Sequence, residues 1–153
     1  MDEHRRPQYC LLEEVASGLA MGKFAQACLS IGRGRTSLVW QWSQQDLAKI
    51  TGKVVGKAAM QGDPFALEVV RRGVRALAEA IRQMLTLLAP RRVVIGGGVS
   101  LLGEALLFQP LRDGVAEQVF APFAGCYDIV PAALGEEVVV HGALALARQR
   151  WTG

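Results

Sequence analysis

Little in this 153-residue chain supports covalent cross-linking, membrane insertion or nucleic-acid binding. Its three cysteines, Cys10, Cys28 and Cys126, lie far apart and are odd in number, which excludes a disulfide framework and fits a reducing compartment. No apolar run reaches the length of a membrane span, because Arg, Glu or Gly interrupts each one. The opening Met1-Asp2-Glu3-His4-Arg5-Arg6-Pro7 is polar and leads into no signal-peptide core, so a cytoplasmic protein is expected. Arginine comes in pairs (Arg5-Arg6, Arg71-Arg72, Arg91-Arg92) and as Arg33 and Arg35, without a continuous stripe or interleaved aromatics, and the net charge is only +3. Neither a phosphate-tracking groove nor a stacking platform is written there, and no nucleic-acid partner is expected. Apolar residues make up 51% and charged ones 20%, which excludes a disordered chain. The organisation expected is a polar segment over 1–9 and one domain over 10–153.

The stretch around which the rest is arranged is Arg91-Arg92-Val93-Val94-Ile95-Gly96-Gly97-Gly98-Val99-Ser100. Val93, Val94 and Ile95 read as a strand covered on both faces. Three glycines then allow a sharp turn and the approach of a flat ligand to the backbone. The carboxyl end of a strand in an α/β sheet is a usual nucleotide position. No Gly-Lys-Ser/Thr follows, so this is not a Walker loop, and GxGxxG spacing would put its third glycine at Leu101. A tight strand-to-helix turn without a ligand is the competing reading.

Apolar spacing predicts a helix from Leu12 to Leu29, running through Ser17-Gly18; a glycine inside it points to close packing or to a ligand. Gly32 to Ser37 is a loop, and Leu38 to Trp42 is a short strand or a helix start with Trp40 and Trp42 filling the core. Ser43 to Asp46 reads as a cap before Leu47, and Val54 to Met60 as a helix ending at Gly62. Asp63 and Pro64 are the N-cap and first residue of the longest helix, whose stripe is Ala66, Leu67, Val70, Val74, Leu77, Ala78, Ile81, Leu85 and Leu88. Beyond the glycines, Leu101 to Phe108 is helical, kinked near Pro110 and resumed from Leu111 to Phe120. Tyr127 to Leu134 is a second strand, parallel to the first through a right-handed crossover. A last helix from Glu136 to Arg148 is expected to pack closely on a sheet through Gly142 to Ala147.

Three segments in this order resemble the ROK family of bacterial sugar kinases and related repressors. Leu12-Glu13-Glu14-Val15-Ala16-Ser17-Gly18 is similar to its Leu-Glu-x-x-x-Ser-Gly element. Gly62-Asp63-Pro64 with the long helix and Val94 to Ser100 resembles its adenosine-contacting region, and Val130 to Gly135 with Gly142-Ala143 its carboxyl-terminal signature. The resemblance implies an α/β fold: the helix-rich carboxyl-terminal lobe, with a small sheet, of an actin-like (ribonuclease H-like) ATPase. It implies that Gly96, Gly97, Gly98 and Val99 form the adenosine side of a site for ATP with Mg²⁺. It further implies that Glu13 contacts sugar hydroxyls, with Glu14 the alternative one register away. A carboxylate accepts two hydroxyl hydrogen bonds at once, which suits that role.

The departures from the family pattern shape the expectation. Its phosphate-gripping turn and catalytic Asp have no counterpart among nine residues before Cys10, so no catalytic residue is assigned. Leu11 stands where a zinc-binding Cys belongs, and His4 with Cys10 are too few ligands, so no zinc is expected. Val139 replaces an expected glycine, and His141 is read as a half-buried structural histidine. Two functions remain: a lobe for ATP-dependent phosphorylation of a hexose or N-acetylhexosamine, working with an amino-terminal partner chain or derived from a longer protein, or a non-catalytic oligomerisation or ligand-sensing module forming a homodimer. Trp40, Trp42 and Val138 to Val140 would contribute to the face so covered.

Overall fold

A computed structural model describes residues 11–151, so the polar 1–9 segment, His4 and Cys10 lie outside the described residues. The chain forms two compact units, divided between Ala80 and Ile81.

In the first unit the helix expected over Leu12 to Leu29 is two helices. One turn, α1 (Glu13–Ala16), is followed by α2 (Gly18–Ser30), and Ser17 between them is extended, with ψ 158°. The Ser17 Oγ accepts the Ala20 N–H at 3.1 Å, so a side-chain cap starts a new helix where the apolar spacing runs on uninterrupted. Gly18 therefore opens α2 instead of weakening its interior. The packing demand for glycine falls on the residue that faces it, Gly52, since a side chain on Gly18 itself would meet no heavy atom within 4 Å. A side-chain carbon on Gly52 would fall 2.9 Å from the Gly18 Cα and 2.7 Å from its carbonyl carbon, so the two backbones meet with nothing between them.

Leu38–Trp42 is helical, α3, capped by the Ser37 hydroxyl. Helical spacing turns Val39 into the core, fully buried, while Trp42 is 46% exposed and Trp40 half-buried beneath Arg35. The expectation that both tryptophans fill the core is thus corrected: on one helical turn only Val39 points inward. Ser43 ends α3, donating its hydroxyl to the Trp40 carbonyl at 3.0 Å, and Asp46 caps the short 3-10 turn Leu47–Lys49. Helix α4 (Gly52–Met60) follows, with the Thr51 hydroxyl as its cap.

Asp63 begins α5 (Pro64–Leu88) as expected. Its carboxylate accepts the Ala66 N–H at 2.8 Å through Oδ1 and the Leu38 N–H at 2.9 Å through Oδ2, joining the starts of α5 and α3. The stripe Ala66, Val70, Val74, Ala78, Ile81 and Leu85 is buried, whereas Leu88, in the last turn, is 72% exposed.

In the second unit β1 (Arg92–Ile95) and β2 (Asp128–Pro131) pair in parallel, Arg92 opposite Asp128 and Val93 opposite Ile129. Val93 and Ile129 are buried on one face, but Val94 is 59% exposed, so the expected cover on both faces is absent from this unit. Three consecutive β-branched or aliphatic residues do not reveal how many faces of a sheet are covered. The connection holds a 3-10 turn (Gly98–Leu102), a π-helical turn (Glu104–Phe108) and α6 (Gln109–Ala116), with Pro110 in the first turn of α6. Leu107, Phe108, Leu111 and Val115 from this connection join Ile129 in the core.

The last helix, α7 (Val138–Trp151), does not pack as expected: Val139, Val140, Leu144, Leu146 and Trp151 are all exposed. The His141 side chain is 50% exposed, as the half-buried reading expects, its Nε2 3.7 Å from the Glu137 carboxylate one turn earlier. Apolar side chains on every side of α7 explain why the sequence reads as a packed helix.

Candidate functional site

Backbone pairing carries β1 and β2 one residue past the strands, since the Ala132 N–H donates to the Ile95 carbonyl at 2.8 Å. That bond brings Gly96 against Ala132, where a side-chain carbon would stand 3.2 Å from the Ala132 Cβ. Gly97 then takes φ +80°, a conformation that favours glycine, and Gly98 opens the 3-10 turn. No heavy atom lies within 4 Å of where a side chain would begin on Gly97 or Gly98. The turn is therefore floored by Ala132 at Gly96 and open above Gly97 and Gly98, at the carboxyl ends of two parallel strands. Val99 is half-buried beside it. Such a surface can accept a flat ring against bare backbone.

Arg92 and Asp128 hold the opposite end of the strand pair. The guanidinium donates to both carboxylate oxygens, which keeps the Asp128 carboxyl below its usual range and raises Arg92 further. Arg112 of α6 donates through Nε to the Ile129 carbonyl at 2.9 Å and through Nη1 to Glu104, tying the crossover to β2. Burial raises the Tyr127 hydroxyl above its ordinary value.

Glu13 belongs to the first unit. Glu14 accepts the Leu11 N–H at 2.8 Å and so is engaged in starting α1. Glu13 has no side-chain partner among the described residues. Both border an open groove of about 580 Å³ shared with Ser17, Leu19, Lys23, Phe24 and Arg72. The Arg72 guanidinium lies 4.3 Å from the centre of the Phe24 ring. A carboxylate with free lone pairs beside apolar Leu19 and Phe24 suits a molecule with hydroxyls on one side and C–H groups on the other. Phe24 and Arg72 were not anticipated as groove residues. Phe24 read as part of the helical stripe and Arg72 as a solvated charge, and only the fold brings α2 and α5 together here.

A hollow of about 470 Å³ along α7, between His141, Leu144 and Arg148, is one helix face and encloses nothing. Among the described residues no three His, Cys, Asp or Glu side chains cluster as a cation site, so Mg²⁺ finds no ligand set of its own in them. No described helix is long and apolar enough to cross a membrane.

The ROK family model matches residues 7–150. The glucokinase of Thermotoga maritima is 36% identical over 142 residues, covering 93% of this chain and 44% of that protein. A ROK family glucokinase from Streptomyces griseus, solved with glucose and AMPPNP, superposes with a TM-score of 0.79 at 28% identity, over 90% of this chain and 44% of that one. A ROK family transcriptional regulator, a homologue of the E. coli MLC protein, gives a TM-score of 0.67 at 25% identity over 83% of this chain and 32% of that one. The chain thus spans less than half the length of these relatives.

Proposed function

The chain belongs to the ROK family, and from that premise we propose that it is the nucleotide-side lobe of a sugar kinase phosphorylating a hexose or N-acetylhexosamine, in the manner of a glucokinase. The helix-rich α/β architecture is that of the actin-like ATPase fold seen in the glucokinase neighbours. The observation that carries the reading is the bare turn Gly96-Gly97-Gly98 at the end of β1, in a chain that superposes on a glucokinase solved with AMPPNP.

In this reading the backbone of Gly96, Gly97, Gly98 and Val99 receives the adenosine. Glu13 accepts hydroxyl protons of the sugar and fixes the ring's orientation, while Glu14 holds the start of α1. When bound, ATP supplies the phosphoryl group and Mg²⁺ offsets its charge. None of the described residues is assigned as the base toward the sugar hydroxyl. We assign the base and the phosphate-gripping turn to the portion of the relatives that this sequence does not span, supplied as an amino-terminal segment or a partner chain in the cytoplasm.

Calorimetric titration with Mg-ATP and Mg-ADP tests the proposal. Saturable binding that disappears in Gly97→Val supports the nucleotide lobe. No heat from a folded chain at high concentration removes it.

A second reading, a non-catalytic ROK module that oligomerises or senses a ligand, is favoured by one observation: the apolar residues of α7 are uncovered. A stable dimer by sedimentation, with no nucleotide bound, would favour this reading over the first.

A further inference from the structure

The second glycine of the turn is not left to its own flexibility. The Gly97 carbonyl oxygen accepts two hydrogen bonds from one residue, the Ser100 N–H at 3.0 Å and the Ser100 hydroxyl at 2.7 Å. The first is the ordinary closure of a 3-10 turn. The second uses the remaining lone pair of the same oxygen, so that carbonyl is saturated from within. In a trans peptide the C=O and N–H point in opposite directions. Turning the Gly97 carbonyl toward Ser100 therefore turns the Gly98 N–H away from it, in a turn where a side chain begun on Gly97 or Gly98 would meet no heavy atom within 4 Å.

We infer that Ser100 is a positioning residue for nucleotide binding, clamping the Gly97–Gly98 peptide so that the Gly98 N–H faces the adenosine. The inference rests on the nucleotide reading above. Glycine at φ +80° is free to move to other regions, and each lost freedom must be met at the moment of binding. A hydroxyl that holds the peptide plane beforehand removes that cost. The hydroxyl is what matters, because the amide is present in every residue type but proline. Ser100 is half-buried and its side chain reaches only back to the turn, so it needs no contact with the ligand to act.

The experiment compares the unsubstituted chain with Ser100→Ala and Ser100→Thr by calorimetry with Mg-ADP, amide exchange over residues 96–100, and thermal melting. Loss of one hydrogen bond of this kind predicts about a five- to tenfold rise in the ADP dissociation constant for Ser100→Ala. Exchange in the turn should accelerate while the melting temperature stays unchanged, and Ser100→Thr should restore both. Equal ADP affinity in Ser100→Ala and the unsubstituted chain overturns the inference alone. So does a loss of affinity matched by a fall in melting temperature, or one that Ser100→Thr fails to repair. An unsubstituted chain that binds no ADP overturns the nucleotide reading, and this inference with it.

Discussion

Arg92 and Asp128 stand opposite each other at the start of the two parallel strands, with the Arg92 Nη2 2.6 Å from the Asp128 Oδ2 and its Nε 2.9 Å from Oδ1. The fork of a guanidinium matches a carboxylate in two places at once. It pins the register at the end remote from the glycine turn, where a slip of one residue would exchange Val93 for exposed Val94.

A pH dependence follows from this pair. The Asp128 carboxyl is held below its ordinary value, by the Arg92 hydrogen bonds first and by the guanidinium charge. Its contribution is complete above the unfolded value, about pH 4. It is lost as pH falls through the lower folded value. Asp128→Asn should show a flatter fall in urea midpoint below about pH 4 than the unsubstituted chain, measured by circular dichroism. The effect is modest because both side chains are partly exposed to water, which screens the pair. Superimposable pH curves would remove the pair from the acid response.

Gly52→Ala places a methyl group against the Gly18 backbone and should destabilise the chain by about 1–3 kcal/mol. Gly142→Ala, on exposed α7 with nothing within 4 Å, should be neutral or stabilising by up to about 1 kcal/mol. Chemical denaturation of the two variants side by side checks the contrast. Equal midpoints would mean that the α2–α4 approach relaxes at no cost.

Asp63→Ala removes caps from two helices at once, at Ala66 and at Leu38, and should cost about 1–3 kcal/mol. Asp63→Asn keeps an acceptor for one of the two amides and should lose less. Urea titration of both variants is the measurement, and similar losses in the two would argue that the charge matters more than the bonds.

Glu13→Gln should weaken sugar binding by about tenfold, since one oxygen acceptor becomes a donor. Glu14→Gln should instead act on stability, because Glu14 already serves the Leu11 amide. Glucose titration and thermal melting separate the two. A larger binding loss in Glu14→Gln would move the sugar contact by one residue.

What the sequence revealed was largely local. Asp63-Pro64 announced a helix start because a cap acts within three residues, and the strand-to-glycine boundary at Ile95-Gly96 announced the turn. The parallel pairing of β1 and β2 was legible because a helical crossover separates them. The break at Ser17 was not, since the apolar spacing on both sides stays in phase while the chain leaves the helix for one residue. Exposure was harder still. Val94, Trp42 and the apolar residues of α7 look like core residues one at a time, and only the neighbours supplied by the fold decide which of them are covered. The Glu13 groove was half legible: the carboxylate stood in a recognisable segment, but Phe24 and Arg72 join it through packing that no local pattern encodes.

The meeting of Gly18 and Gly52 has a consequence for how such a lobe can change over generations. A side chain at 52 would run into bare backbone that cannot move aside, so position 52 cannot drift alone, whereas one at 18 would meet no heavy atom within 4 Å. Gly18 directly follows the segment that bears Glu13, and Gly52 opens a different helix. A lineage that loses glycine at 52 would disturb the placement of the carboxylate while leaving the carboxylate itself intact. Such a descendant would keep a recognisable Leu-Glu-x-x-x-Ser-Gly segment and yet have lost its groove, and reading position 52 beside that segment would tell the two histories apart.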